Sequence, residues 1–146
     1  MITNNENGQR GAALVEFSLI IPLLLLFLFG LIEFSVILYD KAVVTNASRE
    51  AARAWITYRD DANKFNTADL QAIVDTYTVD RLISFGPENL TLTTDPPGST
   101  GPILFSRGDN LKVTLEYQYD FLLLPGLAQS LLPTLTLKAD TIMRAE

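Results

Sequence analysis

The sequence AALVEFSLIIPLLLLFLFGLIEFSVILY, residues 12–39, carries two charged side chains, Glu16 and Glu33, and none from Phe17 to Ile32. A helix that rises about 1.5 Å per residue needs about 20 apolar residues to cross a hydrocarbon core of about 30 Å. Residues 17–32 with either flank reach that length. A soluble domain of this size does not normally keep so continuous an apolar run. The stretch therefore predicts one membrane-spanning helix near the N-terminus, with a modest domain outside the lipid.

The chain has 146 residues. Setting aside the leader and the span leaves roughly a hundred, enough for one small domain with one core. The net charge of −6 gives no electrostatic footprint for nucleic acid and argues against anionic membrane surfaces as a partner beyond the anchor. Cysteine is absent, which removes disulfides and thiolate chemistry and leaves the redox compartment open. Histidine is absent too, and with it the commonest general base and transition-metal ligand.

Residues 1–11 open the chain as a polar leader, MITNNENGQRG, with no periodicity in its first ten positions. Glu16 then stands in the first turn of the apolar run. A charge deep in lipid costs about 3 kcal/mol or more, but at a helix start the dipole favours an anion and the headgroups are close. One account makes Glu16 an interfacial residue. The other makes Gly11-Ala12 a processing site, whose cutting creates an amine on Ala12 one helical turn from the Glu16 carboxylate. That carboxylate then neutralises the amine within the chain or in a neighbouring helix. A secretory signal peptide fits poorly: the apolar core is too long and no convincing Ala-x-Ala follows it.

Pro22 removes a backbone hydrogen bond within the span and predicts a kink, either harmless or a packing joint. Gly30 is a possible close-packing point. Glu33 sits at the membrane boundary if the span ends near Ile32, the cheaper placement, and Phe34, Val36, Ile37 and Leu38 then need cover. Val36, Tyr39, Val43, Ala47, Ala51 and Ala54 recur at helical spacing, so the helix is expected to continue to about residue 58 with that stripe buried. Lys41, Ser48, Arg49, Glu50 and Arg53 fall on other faces, with Glu50–Arg53 a plausible pair. Trp55 reads as a core or interface anchor.

Asn66 or Thr67 caps a second helix, expected over residues 67–85, with Leu70, Ile73, Val74, Tyr77, Arg81, Leu82 and Phe85 along one stripe and Gly86-Pro87 as its stop. The period then changes to two. Strands are expected over residues 89–94, 111–120 and 134–144. In the second, Leu111, Val113, Leu115, Tyr117 and Tyr119 alternate with polar partners. Arg107-Gly108-Asp109-Asn110 is a turn, and residues 95–102 and 103–105 are a loop and a short strand or loop anchor. The apolar segment FLLLPGLAQSLLP, residues 121–133, is a lid over the sheet's end or a docking surface for another subunit or the bilayer. The whole predicts an α+β arrangement: a long N-terminal transmembrane helix extending into a small domain with a second helix and a three-stranded antiparallel sheet.

Four blocks of the N-terminal third stand in a recognisable order: Val15-Glu16-Phe17-Ser18, Ile21-Pro22-Leu23-Leu24, Gly30-Leu31-Ile32-Glu33-Phe34 and Asn46-Ala47-Ser48-Arg49-Glu50-Ala51-Ala52-Arg53. With Gly11 before them they resemble the prepilin-type signal of pilin-like proteins. They are similar in particular to the TadE-like family, pseudopilins of the tight-adherence (Tad/Flp) pilus, a system related to type IV pili. The close match covers residues 11–55. Ala51 departs from the family's frequent glycine and favours a straighter helix.

The resemblance implies a minor pilin-like component required for pilus assembly, cut between Gly11 and Ala12 by a prepilin peptidase. Glu16 and Phe17 would serve N-terminal amine pairing and assembly, and Pro22, Gly30 and Glu33 helix packing. Its partners would be the peptidase, other pilin-like subunits, the inner-membrane assembly platform and the lipid bilayer, with no nucleic acid. It also implies a leader inside and a domain, residues 40–146, outside the cytoplasm. The positive-inside rule, read on Lys41, Arg49, Arg53 and Arg59 against Arg10, points the other way. No catalytic constellation, metal-ligand spacing or cofactor motif stands out, so the expectation is a non-enzyme with no cofactor and no metal. The alternative is an unprocessed single-pass membrane-anchored binding or sensing domain.

Overall fold

The computed structural model describes residues 6–57, 66–83, 89–96, 108–123 and 135–145, with side chains from Gly11 onward. Helix α1 runs over Glu6–Thr57 and α2 over Thr67–Thr78. Strands β1 (Leu90–Asp95), β2 (Asn110–Tyr119) and β3 (Leu135–Arg144) form an antiparallel sheet in the order β1-β2-β3. This is the α+β arrangement that the change of period from 3.6 to 2 predicts. The α1 helix begins inside the polar leader and runs unbroken through Pro22.

The sheet packs on the second half of α1. On β2, Leu111, Val113, Leu115, Tyr117 and Tyr119 are buried, facing Val44, Ala47, Ala51, Ala52 and Trp55 of the helix and Leu70 and Val74 of α2. Register pairs Leu115 with Leu92 on one side and with Ala139 on the other, so the inner face is mostly apolar, with Thr94 and Thr141 flanking Val113. Its outer face is polar: Lys138 pairs with Glu116 at 2.9 Å, Lys112 with Asp140 at 3.4 Å, and the Thr114 hydroxyl donates to Asp140 at 2.7 Å. The β1–β2 connection ends just before β2, near Gly108, whose φ of +95° suits a residue without a Cβ. Its N–H donates to the Ala145 carbonyl at 2.8 Å.

Two expectations need correction. The fully buried line of α1 is Glu33, Asp40, Val44, Ala47, Ser48, Ala51, Ala52 and Trp55; it shares Ala47 and Ala51 with the expected stripe, of which Val36, Val43 and Ala54 are half-buried. Tyr39 is exposed, and Ser48 is buried with its Oγ 2.8 Å from Thr141 Oγ1. Apolar periodicity found Ala47 and Ala51 but drifted off the line toward the N-terminus, because the buried line there runs through two carboxylates. Helix α2 stops at Thr78 rather than 85. Asp80 takes a left-handed φ of 61°, which aspartate tolerates better than most residues, and Leu82 folds back with its N–H on the Thr78 carbonyl. Leu82 is still buried, while Arg81 lies over the Tyr77 ring at 5.7 Å. At the other end Asn66 caps α2 with a capping box to Asp69. Phe85, Gly86-Pro87, residues 97–107 and residues 124–134 lie outside the described residues.

Candidate functional site

The residues singled out from the sequence all lie on α1, and the structure separates them into two groups. Gly11, Ala12, Glu16, Phe17 and Pro22 are exposed along the first turns, and Gly30 is half-buried. A Cβ built on Gly11 or Gly30 meets nothing within 4 Å, so this chain's own packing does not require glycine at either position. Large apolar side chains from Leu14 to Ile32 are exposed around the helix, among them Leu23, Leu24, Leu25, Leu26, Phe27 and Leu28. Among the described residues, α1 is the one helix long and apolar enough to cross a membrane, by length and composition.

Glu33 belongs with the headpiece instead. It is buried to 4% relative exposure. Its Oε1 accepts from the Tyr119 hydroxyl at 2.7 Å and the Leu122 N–H at 2.8 Å, and its Oε2 accepts from the Leu123 N–H at 2.9 Å. The carboxylate thus ties the end of β2 to the helix. Burial first, and then the bond to Glu33, push the Tyr119 phenol well above its ordinary pKa, so it remains a neutral donor. Phe121 meets the Tyr119 ring edge-on at 5.7 Å between centroids. A contact across 86 positions of sequence thus shelters Glu33, which no local pattern reports.

Two turns further along the same line, Asp40 is fully buried. Its Oδ1 accepts from the Ile83 N–H at 2.9 Å, while Oδ2 has no hydrogen-bond partner among the described residues. Burial raises its carboxyl above the usual range, and the Ile83 N–H partly offsets this. The next residue, Lys41, reaches the Lys138 carbonyl on β3. Sequence reasoning did not single out Asp40; its signal was the seven-residue spacing from Glu33.

These features define a class: an α+β headpiece mounted on a single helix that is apolar and exposed enough to cross a membrane. Residues 11–53 match the family described as TadE-like protein, which bears out the resemblance over that segment and covers most of α1 but none of α2 or the sheet. The chain thus carries a TadE-like N-terminal segment of the kind associated with Tad pili. No curated protein and no solved structure matches the chain.

Proposed function

We propose that the chain is a minor pilin-like component required for assembly of a Tad-type pilus, anchored in the inner membrane by α1 with its headpiece outside the cytoplasm. A prepilin peptidase cuts it between Gly11 and Ala12. The observation that carries this reading is the TadE-like match beginning at Gly11, ahead of an exposed apolar helix with a lone acid, Glu16, near its start. A Cβ on Gly11 would meet nothing within 4 Å among the described residues, so the position is open to an outside protein such as a peptidase. After cleavage the Ala12 amine and Glu16 are one helical turn apart, close enough to offset each other within one helix or between neighbours. The headpiece then presents a surface to other pilin-like subunits and the assembly platform. It has no assigned catalytic role.

The test is the N-terminal residue of the native protein, read by intact mass. A chain that begins at Ala12, and that keeps its leader when Gly11 is replaced by a bulky residue, supports the proposal. A full-length chain in a membrane that contains an active prepilin peptidase overturns it in favour of an unprocessed membrane-anchored binding or sensing domain.

A further inference from the structure

We infer that the outer boundary of the bilayer lies near Tyr39 rather than Ile32, and that residues 121–123, just beyond β2, are a foot resting in the lipid interface. The inference rests on the membrane-spanning reading of α1 and adds its register and a second point of lipid contact.

Length comes first. Residues 17–39 cover about 35 Å at 1.5 Å per residue, enough for a hydrocarbon core of about 30 Å with Glu16 left outside it, whereas a span that ends at Ile32 reaches about 32 Å only by taking in residues 12–16 and the Glu16 charge. Exposure agrees. Past Glu33 the outward-facing side chains of α1 are still apolar: Phe34 at 60%, Leu38 at 54% and Tyr39 at 47%. Ser35, also exposed, has its hydroxyl on the Leu31 carbonyl at 2.8 Å and so needs no water. Exposed polar side chains resume at Asn46 and Arg49. Tyr39, apolar in body and polar at its tip, suits the interface.

The objection to this register is Glu33, and the structure removes it. The carboxylate faces the protein and receives three donors, so at membrane depth it never meets lipid. Two of those donors are the decisive ones. Irregular backbone is tolerated at lipid depth only where its N–H groups find partners, since hydrocarbon supplies none. Leu122 and Leu123 lie just beyond the strand, and Glu33 takes both their N–H groups. In water they would need no carboxylate. Meanwhile the Leu123 side chain turns outward, 41% exposed. Lipid fits this surface better than a second copy, because the apolar exposure is continuous with a belt that encircles α1.

The absence of cysteine makes the test direct. Single cysteines are introduced by Leu123→Cys, Leu38→Cys, Ile32→Cys and Asn46→Cys and labelled with the fluorophore NBD. Leu123→Cys keeps the backbone N–H that Glu33 accepts. The full chain is reconstituted in phosphatidylcholine vesicles with or without lipid that bears a nitroxide just below the headgroup. The expected result is a loss of emission of about two-fold or more at positions 32, 38 and 123, and none at 46, because an interfacial side chain sits roughly 5–10 Å into the headgroup boundary. Quenching at 32 with none at 38 or at 123 overturns the register or the foot while leaving the membrane span in place. No quenching at 32 overturns the span as well. A probe at 123 shielded from water yet unquenched by lipid means that protein covers the foot, and that too overturns the assignment.

Discussion

Glu33 of the apolar helix and Tyr119 at the end of β2 share a hydrogen bond of 2.7 Å across 86 positions of sequence. The bond joins the last fully buried aromatic of β2 to the first buried side chain met along α1 from Gly11 onward. Together with the Leu122 and Leu123 N–H groups it makes one carboxylate the hinge pin between anchor and headpiece.

Removing the phenol tests the smaller part of that arrangement. Tyr119→Phe leaves both backbone donors on Glu33, and the expected loss is about 1–2 kcal/mol. Glu33→Ala strands all three donors, for an expected loss of about 3 kcal/mol or more. Thermal unfolding in detergent, followed by circular dichroism, ranks the two; an equal or reversed order would show that the Leu122 and Leu123 contacts are unimportant.

Asp40 makes stability depend on pH in the opposite sense from an ion-paired acid. Its folded pKa lies above the ordinary value of 3.8, so the folded chain holds the proton more tightly than the unfolded one. The destabilisation is therefore absent below about 3.8 and complete once the pH exceeds the folded pKa. Asp40→Asn keeps an acceptor for the Ile83 N–H and removes the titration. The difference in Tm between the variant and the native chain is expected to grow as the pH rises from acid towards neutral; a constant difference would count against a buried charge at Asp40.

Ala47 is fully buried on the helix face covered by the headpiece. Its small side chain sets how closely the elements approach. Ala47→Leu is expected to cost about 1–3 kcal/mol by overpacking, whereas Ala42→Leu on an exposed face changes little. Denaturant midpoints of the two variants decide it.

The Asn66 side chain accepts from the Ala68 and Asp69 N–H groups at 2.8 and 3.1 Å. Asn66→Ala is expected to destabilise α2 by about 1 kcal/mol, and Asn66→Ser much less. Hydrogen exchange in the first turn of α2 reports the loss locally.

Glu16→Gln separates processing from assembly. Cleavage after Gly11 is expected to continue, while co-purification with other pilin-like subunits falls. Undiminished assembly by this variant would remove the amine-pairing role of Glu16.

Much of this was legible in the residues. The uncharged run from Phe17 to Ile32 could only be a helix needing an apolar environment. The alternation from Leu111 to Tyr119 declared a half-buried strand, and the buried inner face agrees. Glu50–Arg53 pairs at 3.1 Å as its spacing suggested. What failed did so for identifiable reasons. The buried face of α1 was found at Ala47 and Ala51 but missed at Glu33 and Asp40, because both acids look solvated to any hydrophobic pattern. Helix α2 was carried too far because Arg81 and Leu82 continue its spacing, although Asp80 leaves the helical region.

By itself the sequence determined the elements, their types and an α1 long and apolar enough to cross a membrane, because helical rise, strand alternation and the cost of charge in hydrocarbon are local quantities. Only the tertiary structure decided where the two buried acids point. A carboxylate can lie at membrane depth when donors from distant residues enclose it, and those donors are set by the packing of β2 against α1 rather than by any neighbour in the chain.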